Sequence, residues 1–175
     1  MKKVLEAAAK KFGWTPAPSP SKRGWGVACG DYEGTYVAMI AEVEVEENTG
    51  KIQTKKVVCA QDMGLVINPE GAKMQMEGCV MMGLGYTLSE EIHFKGGEIF
   101  DLNFGTYEIP RFSWMPKIET VLIDDPNSAP KGGGEPAIML VGAVIANAVY
   151  DATGVRLFHL PMTPERVKEG IKAKA

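Results

Sequence analysis

Cysteine and histidine are scarce, and neither is spaced to build a metal or disulfide centre. Cys29, Cys59 and Cys79 lie 30 and 20 residues apart, which matches neither a CxxC metal site nor an even disulfide framework. They are expected to be reduced thiols in a cytoplasmic protein. His93 and His159 stand far apart and outside any HExxH pattern, so no zinc site is expected and no side chain is assigned as a metal ligand. Charge of one sign is not in excess either. With 19 basic and 22 acidic residues the net charge is −3 and no Lys/Arg block occurs, which disfavours nucleic acid or anionic lipid as a partner. Long apolar runs are missing: Ala137 to Ala146 is closed by Asn147, well short of the roughly 18 residues of a membrane-spanning helix. At the N-terminus Glu6, Lys10 and Lys11 interrupt what would have to be the apolar core of a signal peptide. No GxSxG elbow, Walker loop or GxGxxG spacing is present.

What is there is the composition of one soluble globular domain, 175 residues with 45% hydrophobic and 23% charged side chains. An amphipathic helix with Val4, Leu5, Ala8 and Phe12 on one side opens the chain and ends at Gly13, and Pro16, Pro18 and Pro20 make a connector that cannot continue it. Residues 1–23 are thus set apart from a main unit over 24–175. Trp25 to Ala28 is a short strand candidate. Val37, Met39, Ala41, Val43 and Val45 then repeat at period two, and a turn at 47–50 leads to a second strand over 51–60, the two forming a hairpin. Asn68 followed by Pro69 is a helix start, and the helix is expected to run to Leu88. A second hairpin turns at Lys95-Gly96-Gly97, and a strand lies around Ile118 to Leu122. Asp124-Asp125 reads as a solvated loop. A strongly apolar helix, Ala137 to Thr153, and a last one, Pro164 to Lys174, close the chain. Hairpins followed by helices indicate an α+β fold, a two-layer α/β sandwich of mainly antiparallel hairpins packed against helices.

Two stretches break the rules of their own elements. The helix from Pro69 carries Gly71, Gly78, Gly83 and Gly85, each costing up to about 1 kcal/mol relative to Ala in a helix interior. Gly71, Gln75, Gly78, Met82 and Gly85 form one stripe of small residues around a single amide. Either the stripe packs tightly on the sheet, or it admits a ligand to which Gln75 offers both a donor and acceptors. Met74, Met76, Met81 and Met82 read as core filler. The second stretch is Lys131-Gly132-Gly133-Gly134-Glu135-Pro136, placed just before the apolar helix. Glu135 either complements the dipole of that helix or is a carboxylate at the mouth of a Gly-lined pocket. As a general base it would need partial burial to raise its pKa.

The order of motifs goes further than any one of them. Glu42-Val43-Glu44-Val45 with Thr49-Gly50-Lys51-Ile52, Asp62-Met63-Gly64 with Ile67-Asn68-Pro69, Gln75-Met76-Glu77-Gly78 with Gly83-Leu84-Gly85, Tyr107-Glu108-Ile109-Pro110, Gly134-Glu135-Pro136, and Ala146-Asn147-Ala148 with Asp151-Ala152-Thr153-Gly154 and Leu160-Pro161 follow in that sequence. Over nearly the whole chain this closely resembles the C-terminal molybdopterin-binding part of the large subunit of the xanthine dehydrogenase and aldehyde oxidase family of molybdenum hydroxylases. The resemblance implies a molybdenum cofactor, molybdopterin or its dinucleotide form, contacted by Gln75 and Gly78. It implies Glu135 as catalytic base, Gly133 and Gly134 as points of close approach, and Lys131 facing the cofactor's phosphates. The implied reaction is oxidation of an aldehyde or N-heteroaromatic compound with water as the oxygen source. Electrons would leave through 2Fe–2S clusters and FAD on partner chains. Met63 and Met82 depart from the family's usual cysteine and glutamine. The preceding half of the large subunit, which supplies the opposite wall of the site, is expected as a partner, and the chain alone is expected to be inactive. Two other readings stay open: a non-catalytic assembly or binding domain that keeps the fold, and a phosphate or nucleotide binder using Lys131 to Glu135.

Overall fold

The computed structural model describes residues 1–15, 19 and 23–174. The three connector prolines lie outside the described residues. Four strands form one mixed sheet in the order β1 (Arg23–Tyr32), β2 (Thr35–Glu46), β3 (Lys51–Asp62) and β6 (Lys117–Ile123). β1–β2 and β2–β3 pair antiparallel, while β3 and β6 pair parallel. The parallel pair follows from what separates the two strands. The chain leaves β3, runs through helix α2 (Pro69–Leu88) and an arm carrying the two-residue hairpin β4 (Phe94–Lys95) and β5 (Glu98–Ile99), and returns along the sheet edge as β6. A crossover of that length is what a parallel return requires.

α2 and helices α3 (Val141–Thr153) and α4 (Pro164–Lys174) cover one face of the sheet. Val37, Met39, Ala41, Val43 and Val45 of β2 and Val57 and Cys59 of β3 are buried there against Met76, Val80 and Leu84 of α2, Val141, Val144, Ile145 and Ala148 of α3 and Val167 of α4. The opposite face is covered by α1 (Lys2–Phe12), whose Val4 and Ala8 pack on Ala38, Ile40, Val58 and Ala60. Because both faces are covered, the middle of β2 is buried without interruption, and Ala38 and Ile40, lying between members of the period-two set, are core as well.

Caps and turns fall where the sequence signals them. Gly13 ends α1 in the left-handed region at φ 81°, and the Asn68 side chain accepts a hydrogen bond from the Gly71 amide at 3.0 Å to start α2. Helix α3 approaches β1 almost backbone to backbone. A Cβ on Gly24 would stand 1.9 Å from the Ala148 carbonyl oxygen, and one on Gly26 would stand 2.0 Å from that of Val144.

Three expectations change. The stripe on α2 does not pack on the sheet: Gln75 and Gly78 are exposed, a Cβ on Gly78 would meet nothing, and the helix faces its neighbours through Ala72, Met76, Cys79, Val80 and Gly83 instead. Met74 and Met82 are accordingly exposed at 70% and 67%, and of the four methionines expected as core filler Met76 alone is fully buried. The apolar segment does not begin as one helix at residue 137. A turn of 3₁₀ helix spans Ile138–Leu140 and α3 starts at Val141. Glu135 therefore lies before the first turn of α3, at the head of the 3₁₀ turn, where its carbonyl accepts from the Ile138 amide at 3.0 Å.

Candidate active-site wall

The C-terminal ends of β3 and β6 meet at one end of the sheet, with Asp62 opposite Ile123. Loops 62–68 and 124–136 leave from that end and are tied together. The Lys131 amide donates to the Met63 carbonyl at 2.9 Å, the Leu65 amide to Ser128 and the Asp125 amide to Gly64. Asp124 accepts from the Val66 amide, and Asp125 accepts from the Ser128 hydroxyl at 2.7 Å, which holds its carboxyl below the usual carboxylate range. The pair expected as a merely solvated loop thus staples one loop to the other.

The glycine segment is held by its carbonyls. Thr35 Oγ1, at the start of β2, donates to Gly132 O at 2.8 Å. Gln61 Nε2, near the end of β3 and fully buried, donates to Gly133 O at 3.1 Å. Cys79 Sγ, on α2, lies 3.1 Å from Gly134 O and 3.8 Å from Glu135 O. Burial pushes the Cys79 thiol up, so it stays protonated and able to donate. A Cβ on Gly133 would stand 2.5 Å from Met63 Cε, whereas one on Gly134 would meet nothing. The amides of Gly132, Gly133, Gly134 and Glu135 donate to no other described residue. The segment therefore presents four free N–H donors, an arrangement suited to an anionic group.

Four of the six sequence-indicated residues, on α2 and the glycine segment, are exposed near the link that Cys79 makes, and Gly133 is set more deeply. Cys79 joins Gly134 and Glu135 to α2, and Gly78 is its neighbour while Gln75 lies one helical turn earlier. Gln75, Gly78, Gly134 and Glu135 are all exposed, and neither the Gln75 amide nor the Glu135 carboxylate makes a hydrogen bond or ion pair among the described residues. Gly133 is half-buried against Met63 and Gln61. Lys131 points elsewhere, its ammonium donating to Gly34 O at 2.8 Å and lying 5.7 Å from the Tyr36 ring centre. Concavities of about 490 and 480 Å³ lie at the β2–β3 turn and beside the β4–β5 hairpin, and neither is lined by Gln75 or Glu135. Gln75, Gly78, Gly134 and Glu135 are open to solvent in this chain. Thr35, Gln61 and Cys79 escape sequence reasoning because a lone buried polar side chain leaves no spacing signal.

Residues 6–116 match the family model described as the molybdopterin cofactor-binding domain. The chain belongs to this family. It is 31% identical over 184 aligned positions to a component of the nicotinate dehydrogenase of Pseudomonas putida, an alignment covering 96% of this chain and 16% of that protein. It is 32% identical to a component of the probable xanthine dehydrogenase of Bacillus subtilis, over 98% of this chain and 22% of that one. Among solved structures, the aldehyde oxidoreductase from Desulfovibrio desulfuricans matches with a TM-score of 0.71 at 33% identity, over 78% of this chain and 15% of that chain. Quinoline 2-oxidoreductase from Pseudomonas putida 86 matches with a TM-score of 0.74 at 27% identity, over 79% and 19%. The chain spans less than a quarter of the length of these relatives. All four are dehydrogenases or oxidoreductases by name. Among the described residues no three His, Cys, Asp or Glu side chains could together hold a metal ion, and no helix is long and apolar enough to cross a membrane.

The unpaired amides and the exposed Gln75 fit a polar, anionic group such as a molybdopterin cofactor. Four amides have no partner among the described residues, a Cβ on Gly78 or Gly134 would meet open space, and the exposed Gln75 amide has no competing partner. An anionic, polar, planar group is what such a surface can hold.

Proposed function

We propose that this chain forms one wall of the active site of a molybdenum hydroxylase of the xanthine dehydrogenase and aldehyde oxidase type. Its substrate is an aldehyde or an N-heteroaromatic compound, and water is the oxygen source. The observation that carries this reading is the juxtaposition of Glu135 and its free amides with the exposed Gln75 and Gly78 of α2, in a chain of the molybdopterin cofactor-binding family. Names of relatives that act on nicotinate, isoquinoline and aldehydes support the substrate class.

In this reading Gln75 and the amides of Gly133 and Gly134 hold the cofactor, which supplies two-electron redox chemistry when bound. Gly78 and Gly134 let it approach the backbone. Glu135 Oε accepts the proton released as water is activated, and passes it to solvent between turnovers. Glu135 is exposed in this chain, so the burial that would tune it comes from whatever covers this face. That cover is the remaining part of the molybdenum-binding subunit, with 2Fe–2S clusters and FAD on further partners. The dinucleotide form of the cofactor and a cytoplasmic location complete the reading, the latter supported by three free cysteines, two of them buried. Lys131 is left out of the cofactor contacts because its ammonium already serves the Gly34 carbonyl.

The test is affinity purification of the tagged chain from its own host, with molybdenum measured by mass spectrometry, followed by Glu135→Gln in the purified assembly. Near-stoichiometric molybdenum with larger co-purifying chains, and a loss of kcat of at least about 10²-fold in Glu135→Gln, is the expected result. A metal-free single chain, or near-native turnover by the variant, refutes the reading.

A further inference from the structure

We propose that Cys79 is a positioning residue which, with Thr35 and Gln61, sets the direction of the Gly132–Glu135 segment and so places the Glu135 carboxylate. This deepens the reading of Glu135 as the base and rests on it. Three glycines in a row give a backbone with little conformational preference of its own. Left free, each peptide plane between residues 132 and 135 could turn over, exchanging the directions of its carbonyl and amide. Here each plane is fixed by a different element of the fold. Thr35 of β2 holds the Gly132 carbonyl, Gln61 of β3 that of Gly133, and Cys79 of α2 that of Gly134. Because carbonyl and amide point to opposite sides of a trans peptide plane, three carbonyls drawn inward leave the amides of Gly133, Gly134 and Glu135 facing out.

Cys79 acts on the plane that matters most. The Gly134 carbonyl and the Glu135 nitrogen and Cα belong to one rigid unit, so holding that carbonyl at 3.1 Å fixes the N–Cα bond of Glu135, while the Ile138 amide, donating to the Glu135 carbonyl at 3.0 Å, holds the plane on its other side. The thiol has one hydrogen to give and is buried at 6% exposure, away from competing water. Gln61 is similarly dedicated: its Oε1 is buried with no partner, and its Nε2 serves Gly133. The same Nε2 lies 3.7 Å from Met63 Sδ, the side chain that packs against Gly133.

The experiment compares Cys79→Ala, Cys79→Ser and Thr35→Val in the assembled molybdenum enzyme, with Glu135→Gln alongside, and in the 175-residue chain by itself. For Cys79→Ala and Thr35→Val kcat per bound molybdenum is expected to fall about 10- to 100-fold with KM little changed, the scale of a catalytic group misplaced by about an ångström. Cys79→Ser, which keeps a donor, is expected to restore kcat to within a few-fold. A purely structural role would lower yield or Tm and leave kcat per molybdenum intact. In the isolated chain, trypsin reads the loop directly, because Lys131-Gly132 is an exposed tryptic bond. Cleavage there is expected to be faster in Cys79→Ala than in the native chain or Cys79→Ser at equal Tm. Native kcat in Cys79→Ala within an enzyme that Glu135→Gln inactivates overturns the proposal. If Glu135→Gln itself stays active, the base reading falls instead, and the tryptic comparison decides the positioning: equal rates in all three chains overturn it. Thr35→Val carries the test should Cys79→Ala fail to fold.

Discussion

Two glycines five residues apart on α2 should respond to the same substitution with opposite signs. Gly78 faces open space, and no atom lies within 4 Å of the Cβ that alanine would add. Gly78→Ala therefore gains helix propensity with no steric term, a stabilisation of about 0.5–1 kcal/mol. Gly83 faces the first residue of α3. Its added Cβ would stand 2.4, 2.6 and 3.0 Å from Cγ2, Cβ and Cγ1 of Val141. A valine in a helix has one strongly preferred rotamer and cannot swing aside, so α2 and α3 would have to separate. Overpacking of that kind costs about 1–3 kcal/mol, which exceeds the propensity gain of at most about 1 kcal/mol. At about 2–4 °C per kcal/mol for a chain of this size, Gly78→Ala should melt a few degrees higher than the native chain and Gly83→Ala a few degrees lower. Urea unfolding followed by helical circular dichroism measures both, and a shift of the same sign in the two variants would refute the packing argument. The Gly78 result also bears on function. If α2 meets the cofactor through this open face, the more stable Gly78→Ala chain should carry less molybdenum in the assembled enzyme. Higher stability with full molybdenum content would mean that Gly78 is not at the cofactor.

Gly26→Ala would put a Cβ 2.0 Å from the Val144 carbonyl, and because backbone cannot yield as a side chain does, a loss above about 3 kcal/mol is expected from denaturant unfolding. The Arg166 guanidinium, 2.8 Å from Glu91, holds that carboxyl below its ordinary range. A depressed carboxylate pKa contributes stability above the unfolded value and loses it as pH falls through the folded one. Glu91→Gln should therefore lower stability by at most about 1 kcal/mol near neutral pH, and melts of the two chains should converge in acid; a constant difference down to the lowest pH would contradict the pairing. Cys59 is buried, with its thiol pushed up to about 12, whereas Cys29 is exposed, so a thiol-specific dye should titrate one cysteine rapidly in the native chain and three after unfolding. The arm carries Phe94, Leu102, Phe104 and Phe112, each more than 70% exposed. Phe104→Ser with Phe112→Ser should reduce binding of an apolar dye without lowering Tm, and unchanged dye binding would show that this face is not the one exposed in solution.

The elements were legible where local chemistry decides them. Asn68-Pro69, Gly13, the turn before Gly50 and the period-two run of β2 depend on neighbours along the chain, and α1 ends and α2 begins where those signals fall. Pairing was less legible. Nothing in Ile118 to Leu122 says that the strand will run parallel to β3, because that is decided by the length of chain in between. The start of α3 was misplaced because an apolar run has no internal boundary, and a turn of 3₁₀ helix is as apolar as the α-helix it precedes.

The candidate site divides along the same line. The glycines of α2 stand out because each is a poor choice for a helix interior, and a residue that weakens its own element needs another reason to be there, while Gln75 and Glu135 stand out by their place among glycines. Thr35, Gln61 and Cys79 are acceptable residues where they stand, and only three dimensions show them converging on three consecutive carbonyls. The exposed Gln75–Gly78 face and the clamped glycine segment therefore make different demands. The first sits on a helix that the core already fixes through Met76, Val80 and Leu84, so it can tolerate small, open residues. The second has no core of its own, and its geometry must be supplied hydrogen bond by hydrogen bond from β2, β3 and α2. A change anywhere in those three contacts should reach Glu135 even though all three side chains are buried beneath it.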